Sequence, residues 1–539
     1  GADRQLPAAS RPGARVGTVS DLESILAGLN EAQREAALAL RGPVAILAGA
    51  GTGKTTTITH RIACQVRSGE FEPSQILAVT FTDKAAGELK RRLQALGVEG
   101  VEARTFHSAA LSQLSRLWSS YTGEPLPEVL DHKAPLISSL ANALPPPHKF
   151  LPRRELAGEI EWAKNRMIPP ARYLHQLGDH EPPIPADLMH RVYDGYERRK
   201  TAMGRLDFED MLGLALRLFD EHPVAVREIH RRFAAFTVDE YQDVNPLQAG
   251  LLERWLGDRD DLCVVGDDYQ TIYAFTGASP EHLLGFTRRY PHATVVRLEE
   301  NYRSTPEVLE LANRLATRLG GFRKTLRATR PSGPPPLARA EPDEEAEVGA
   351  VVQAVRRLYQ EEAVELEEIA VLYRINARSE PFEEAFAAAA IPYQVRDGAF
   401  LRRPGPRAVL QRLKRSGAAA GSVIEAVEAI TGQLGYAPEA TPGADEEGTR
   451  RSDLGRMRSL AAEFERAGGG DAAAFGAELA RRFSTEHSGR GVNLLTYHRA
   501  KGLEFDAVFL PRLLDGELPF RSGRAKADPH EERRLLYVG

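Results

Sequence analysis

Leu47-Ala48-Gly49-Ala50-Gly51-Thr52-Gly53-Lys54-Thr55 is the stretch on which the reading of this chain turns. The apolar run 44–47 before it suits a buried strand. The run Thr56-Thr57-Ile58-Thr59-His60-Arg61-Ile62 after it suits a helix. A glycine-rich turn between a strand and a helix aims successive backbone N–H groups and the helix N-terminus at an anion. Lys54 is then placed to neutralise the β- and γ-phosphates of a nucleotide, and the Thr55 hydroxyl to ligate Mg2+. The usual pattern begins with glycine, and Ala48 stands in that position.

Working outward, 539 residues imply two to four domains. A net charge of −5 excludes a chain that binds nucleic acid by overall composition, although a local groove can still be basic. The 70 basic residues are 59 arginines and 11 lysines. That bias suits bidentate phosphate contacts, and it suits a GC-rich genome equally well. Cys64 and Cys263 are the only cysteines, which excludes a disulfide framework and a cysteine zinc site. A cytoplasmic protein is expected. No apolar run approaches the ~20 residues needed to span a membrane. Residues 1–20 carry no signal-type apolar core and read as a disordered leader.

Short apolar runs at 44–47, 76–81, 236–238 and 262–265 alternate with helical patterns, which argues for a parallel sheet flanked by helices. A later set at 294–298, 369–373, 492–497 and 507–510 suggests a second such unit. Residues 109–200 read as a helical insertion in the first unit. Residues 401–487, with breaks at 417–421 and 468–470, read as one in the second. The proline-rich and then acidic stretch 331–347 reads as a solvated loop.

Phe236-Thr237-Val238-Asp239-Glu240 is an apolar strand ending in two carboxylates. A phosphate loop needs a partner carboxylate on a neighbouring strand to hold Mg2+, and Asp239 fits that role. Glu240 beside it is the natural general base for an attacking water. A solvated Asp-Glu pair at a strand end is the bland alternative, and the presence of Lys54 weighs against it.

Further segments carry a resemblance. They are Leu29-Asn30-Glu31-Ala32-Gln33, Ala78-Val79-Thr80-Phe81-Thr82-Asp83-Lys84-Ala85-Ala86, Thr105-Phe106-His107-Ser108 and Leu206-Asp207-Phe208-Glu209-Asp210. Val238-Asp239-Glu240-Tyr241-Gln242-Asp243, Val265-Gly266-Asp267-Asp268-Tyr269-Gln270-Thr271-Ile272-Tyr273 and Glu300-Asn301-Tyr302-Arg303-Ser304-Thr305 follow. Thr496-Tyr497-His498-Arg499-Ala500-Lys501-Gly502-Leu503-Glu504-Phe505 and Glu531-Glu532-Arg533-Arg534-Leu535-Leu536-Tyr537-Val538-Gly539 complete the series. In this order they resemble the UvrD/Rep/PcrA family of superfamily 1A DNA helicases, nearest to the actinobacterial type with a reduced 2B subdomain.

The resemblance implies two RecA-like α/β domains, each with a mainly helical insertion. Domain 1A would span 21–108 and 201–299, 1B 109–200, 2A 300–400 and 488–539, and a reduced 2B 401–487. It implies a bacterial, nucleoid-associated, ATP- and Mg2+-dependent enzyme moving 3′→5′ on single-stranded DNA and opening duplexes at single-strand/double-strand junctions, with repair proteins as partners. Lys54, Asp239, Glu240, Gln270 and Arg303 would be catalytic, with Thr55 and Asp239 on the metal. The nucleotide would lie against Gln33, Ala48, Gly49, Ala50, Gly51, Thr52, Gly53, Lys54, Thr55, Thr56, Tyr302, Arg303, Gly502 and Glu504. Gln33 would read the adenine edge, Tyr302 stack on its ring, Arg303 reach the γ-phosphate and Glu504 the ribose. Phe81, Tyr273 and Phe275 would stack on bases, a sequence-tolerant contact. Thr105, His107, Thr496 and His498 would touch the DNA backbone.

Two departures stand out: Thr56 where the family often has arginine, and Thr276 where it often has another. The family's last motif also runs on past Gly539 into a further arginine, so a truncated chain with weak turnover is expected. The competing reading is an ATP-switched DNA-binding module without turnover. An ATP-dependent nuclease lacks any additional carboxylate–lysine cluster to support it.

Overall fold

The computed structural model describes residues 19–130, 132–146, 148–151, 153–274, 277–395, 399–415, 422–436, 446–483, 490–520 and 528–539. The leader expected at 1–20, Phe275 and the break at 417–421 fall wholly or almost wholly outside them.

Strands β1 (Val44–Ala48), β2 (Ile76–Thr80) and β3 (Glu102–Thr105) open the first sheet. β4 (Glu128–Val129) and β5 (Arg205–Leu206) pair only with each other. β6 (Ala235–Val238), β7 (Leu262–Gly266) and β8 (Thr294–Leu298) complete the first sheet in the order β3-β2-β6-β7-β1-β8. Every pairing in it is parallel. A parallel sheet is covered on both faces, so its inner strands are apolar throughout rather than alternating with polar residues. β1, β2, β6 and β7 are buried along their whole length. Ala45, Leu47, Leu77 and Val79 face a core with Trp118, Phe219 and Trp255. Val44, Ile46, Ile76 and Ala78 face the opposite core with Ile58, Ile62, Leu89 and Leu93. Successive side chains of a strand point to opposite faces, which divides the run this way.

The segment 294–298, grouped in the sequence with the later strands, belongs to this first sheet. It pairs with β1 from Val44 to Ala48, and its Val296 and Leu298 join the same core as Val44 and Ile46.

Between β3 and β6 lie the helices Phe106–Thr122, Ala134–Ala141, Arg153–Asn165, Ala186–Ala202, Phe208–Glu221 and Pro223–Arg232. Residues 109–200 were expected to hold no strand, and β4 is a two-residue exception. This region has its own core of Ile137, Leu156, Ile160, Trp162, Tyr173, Met189 and Tyr196. Buried lysines fasten it to the 205–210 segment: Lys133 to Glu209, Lys164 to Asp207 and Asp210, and Lys200 to Asp207. Glu197, Asp207 and Asp210 converge as metal ligands would, but Lys164 and Lys200 already neutralise the cluster.

β9 (Glu300–Asn301) and β10 (Arg327–Ala328) form a short parallel pair. The loop expected through 347 ends sooner. Asp343 caps a helix Glu344–Glu361 whose first turn carries Glu344, Glu345 and Glu347. Carboxylates at a helix N-terminus face the positive end of its dipole, so the acidic run starts the helix.

β11 (Ile369–Tyr373), β12 (Tyr393–Val395), β13 (Val492–Thr496) and β14 (Ala507–Phe509) form the second sheet, ordered β12-β13-β11-β14 and parallel throughout. The helices Pro404–Arg415, Val423–Gln433, Glu446–Arg466 and Ala472–Arg482 lie between β12 and β13, around Phe400, Val409, Val427, Leu454, Met457 and Phe475. Arg403 is buried here on Asp453 and Glu383.

Candidate functional site

The carboxyl ends of the parallel strands gather the site, as expected of an open α/β sheet. β1 ends at Ala48 and passes into the phosphate loop, and the helix Lys54–Arg67 follows. Gly51 and Gly53 have φ of 66° and 79°, the left-handed region that glycine enters without strain. Space also demands glycine. A Cβ at Gly51 would lie 2.6 Å from Arg303 Cβ, and one at Gly53 would lie 2.6 Å from Gln33 Nε2. The loop carbonyls are taken from outside. Gln33 Nε2 donates to Thr52 O at 3.0 Å, Asn301 Nδ2 to Ala50 O at 2.6 Å, and Tyr302 N to Gly51 O at 2.9 Å. A loop held by its carbonyls in this way can turn its N–H groups toward phosphate. The Thr52 hydroxyl closes the turn on Gly49 O at 2.8 Å.

Lys54 Nζ lies 3.3 Å from Glu240 Oε1. Burial works against its charge, but Glu240, Asp267 and Asp239 outweigh that and raise its pKa. Asp239 and Glu240 follow β6, and the Glu240 N–H donates to Asp239 Oδ1 at 2.9 Å. Glu240 has φ of 50°, strained for a residue with a Cβ and fixed here by its surroundings. Burial pushes the Asp239 carboxyl up, and the neighbouring Glu240 charge pushes it further. Burial acts the same way on Glu240, but Lys54 and Lys501 prevail and keep it ionised below its ordinary range. Asp239, Glu240 and Asp267 thus act on one lysine. That surplus of carboxylate suits a divalent cation, which Asp239 and Thr55, the residue after Lys54, would hold.

Gln270 follows β7. Its Nε2 donates to Asp267 Oδ2 at 2.8 Å, and its backbone carbonyl accepts from Lys501 Nζ at 2.7 Å. Lys501, from the later half of the chain, also pairs with Asp243. Gln242 donates to Glu240 and accepts from Asp267 N at 3.0 Å. Arg303 Nε donates to Glu504 Oε2 at 2.8 Å, joining two of the expected nucleotide contacts to each other. Tyr302 is 45% exposed, and its hydroxyl accepts from Asn30 Nδ2 at 2.8 Å. Gly502, at φ 79°, has open space around it. Thr56 Oγ1 accepts from Arg92 Nη1 at 3.2 Å.

Of the expected DNA contacts, Phe81 and Tyr273 come together, stacked with ring centroids 6.0 Å apart and planes 12° apart. Tyr273 donates its hydroxyl to His498 O at 3.2 Å, and Lys501 sits over its ring. A line of Phe81, Tyr273 and His498 thus runs from the first sheet to the second. Burial, then Arg374, Arg499 and Lys501, push the His498 imidazole down to about 3, so it is neutral at neutral pH. Thr496 ends β13 and is buried. His107 stands apart from that line, edge-on to Phe208, with burial and Lys133 lowering its pKa. The Thr105 hydroxyl accepts from Ser108 N and caps the helix Phe106–Thr122.

Gln242, Asp243, Asp267 and Lys501 lie inside segments that carry the resemblance, but were given no role from sequence. Their polar character beside buried strand ends was the available signal. Lys324 donates to Asp267 at 2.7 Å and had no such signal.

Residues 29–291 match the family model described as UvrD/REP helicase N-terminal domain. Residues 296–416 and 472–539 match the one described as UvrD-like helicase C-terminal domain. The chain is 43% identical to the ATP-dependent DNA helicase UvrD2 of Mycobacterium tuberculosis, over 96% of this chain and 77% of that protein. It is 31% identical to UvrD1 of the same organism, over 96% and 82%. It is 30% identical to the ATP-dependent DNA helicase PcrA of Bacillus subtilis, over 96% and 81%. With two consecutive domain models matched over most of the chain and two parallel sheets beneath them, the chain belongs to the UvrD/REP family of helicases.

Proposed function

We propose that this chain is an ATP-dependent DNA helicase, a single-stranded-DNA-stimulated ATPase that moves 3′→5′ and separates duplex DNA from a single-strand/double-strand junction. The observation that carries the reading is the convergence of Lys54, Asp239, Glu240 and Gln270 at adjoining strand ends of one sheet, in contact with Lys501 from the other half. A binding scaffold has no use for a half-buried, ionised carboxylate held in a strained backbone beside a phosphate-binding lysine.

In this reading Lys54 and the loop N–H groups grip the β- and γ-phosphates, and Gln33 and Tyr302 flank the base. Glu240 is held ionised and accepts the proton of the attacking water. A Mg2+ ion held by Thr55 and Asp239 would supply charge neutralisation on the phosphates. Arg303 leaves Glu504 for the γ-phosphate, drawing the second sheet unit toward the first. Gln270 touches both the nucleotide side and the Tyr273 side, so nucleotide state is felt at the Phe81–Tyr273 stack. We divide the chain into 1A (21–108 and 201–299), 1B (109–200), 2A (300–400 and 488–539) and a reduced 2B (401–487). Among the described residues no helix is long and apolar enough to cross a membrane, and we place the protein in the bacterial cytoplasm at the nucleoid.

ATP hydrolysis with and without single-stranded DNA, with Glu240→Gln alongside, tests the reading. DNA-stimulated turnover that falls by about 10²-fold or more in the variant, with nucleotide binding retained, supports it. Normal ATP and DNA binding without turnover would mark a switched binding module. Unwinding of a 3′-tailed but not a 5′-tailed duplex tests the direction.

A further inference from the structure

A buried ion cluster links the later half of the chain to the end of β7. Lys324 Nζ donates to Asp267 Oδ1 at 2.7 Å and to Asp268 Oδ1. Lys324 is 1% exposed, Asp267 0% and Asp268 3%. The second oxygen of Asp267 accepts the Gln270 side chain at 2.8 Å. One carboxylate is therefore shared between Lys324 and Gln270. Lys324 also lies 4.0 Å over the Tyr269 ring, and Tyr537 packs edge-on against the same ring.

The chain before Lys324 is shaped to receive these carboxylates. Phe322 N donates to Asp268 Oδ2 at 3.0 Å. Gly321 has φ of 80°, and a Cβ there would stand 2.0 Å from that same oxygen. Burial costs Lys324 some of its basicity, yet Asp267 and Asp268 more than restore it. The lysine is therefore charged at neutral pH inside the protein. The same segment meets the phosphate loop, since a Cβ at Gly49 would lie 2.4 Å from Leu326 Cδ2. Composition adds weight. The chain has 59 arginines to 11 lysines, and Lys54, Lys133, Lys164, Lys200, Lys324 and Lys501 all sit in mostly buried ion pairs. A buried lysine in such a chain marks a place where a compact ammonium fits and a planar guanidinium does not.

We infer that Lys324 is a positioning residue for Gln270, holding Asp267 so that the Gln270 amide is presented to nucleotide and the 299–330 segment follows its movement. This rests on the role proposed above for Gln270. Lys324 touches neither nucleotide nor DNA in this scheme. It acts through Asp267, and its loss frees the amide to turn.

The test is steady-state ATP hydrolysis titrated with an oligothymidine strand, for the parent, Lys324→Met, Gln270→Ala and the double variant. In Lys324→Met, DNA-stimulated kcat is expected to fall about tenfold while KM for ATP stays within about twofold. In the Gln270→Ala background the same substitution should cost nothing more, because the group it orients is gone. Lys324→Arg should not rescue. Full stimulation in Lys324→Met, or losses that multiply in the double variant, overturns the inference. Lys324→Met leaves two bare buried carboxylates and can fail to fold. Lys324→Met/Asp268→Asn then removes one of them and carries the same comparison. A parent that turns over ATP without responding to DNA overturns the underlying role of Gln270, and is told apart because it fails before any substitution is made.

Discussion

Arg303 illustrates how single residues here hold two partners in prospect. Its guanidinium rests on Glu504, whose side chain is 69% exposed. An exposed pair of this kind contributes only about 0–1 kcal/mol, so exchanging the carboxylate for a phosphate costs little. Arg303→Ala is expected to lower ATP turnover by about 10³-fold, as removal of an arginine finger does, and to leave fluorescent-nucleotide binding within reach of the parent's. His498 supplies a pH signature. Its folded pKa lies far below that of a free imidazole, so the unfolded chain binds the extra proton between the two values. Stability contributed at this position is therefore present at neutral pH and is lost as pH falls below the unfolded value of about 6.5. The melting temperature of His498→Gln should decline less than the parent's between pH 7 and pH 5. Matching profiles would show that His498 is not the group responsible.

At the scale of elements, Trp255 joins the sheet to its helical cover. It is fully buried in the helix Pro246–Leu256, stacks on Phe106 and Phe236, and donates its indole N–H to Gln113 at 2.7 Å. Trp255→Ala should cost about 3–5 kcal/mol, read as a lower urea midpoint. Gly51→Ala should abolish nucleotide binding at a smaller stability cost of about 1–2 kcal/mol, since the left-handed turn and the Arg303 contact both exclude a Cβ. Elements of this kind differ in how readable they were. β1, β2, β6 and β7 are buried, mainly apolar runs with turn signals after them, and each was visible in the sequence. β3 is the edge strand Glu102-Ala103-Arg104-Thr105, with only Ala103 buried, so no apolar run announced it. β8 was visible, but the spacing of apolar runs grouped it with the later set while the 201–299 bounds implied by the resemblance kept it with the first, because adjacency to β1 is set by packing between residues some 250 positions apart. In the site, Lys54 and the Asp239–Glu240 pair were legible because spacing and strand context carry their chemistry. Lys324 was not, since a lysine beside glycines reads as surface loop until Asp267 and Asp268 close over it.

The two halves of the chain are joined by lysines of the later half entering carboxylates of the earlier half, Lys324 on Asp267 and Asp268 and Lys501 on Asp243. Removing one side of a buried pair costs about 3–5 kcal/mol. A fragment of residues 19–299 should therefore fold poorly at pH 8. A fragment that melts at the temperature of the intact chain would show that the lysines are dispensable to that half. The strand order carries one more consequence, for synthesis on the ribosome. β1 has only two neighbours in its sheet, β7 and β8, and both lie more than 200 residues after it. At about 5–20 residues per second, some 10–50 s separate the emergence of the phosphate loop from that of its supports. A nascent chain at that stage exposes five consecutive apolar residues with no edge to join. Among the described strands, the one that leads into the phosphate loop thus waits longest for its neighbours, and its early life depends on whatever shields an unpaired strand in the cell.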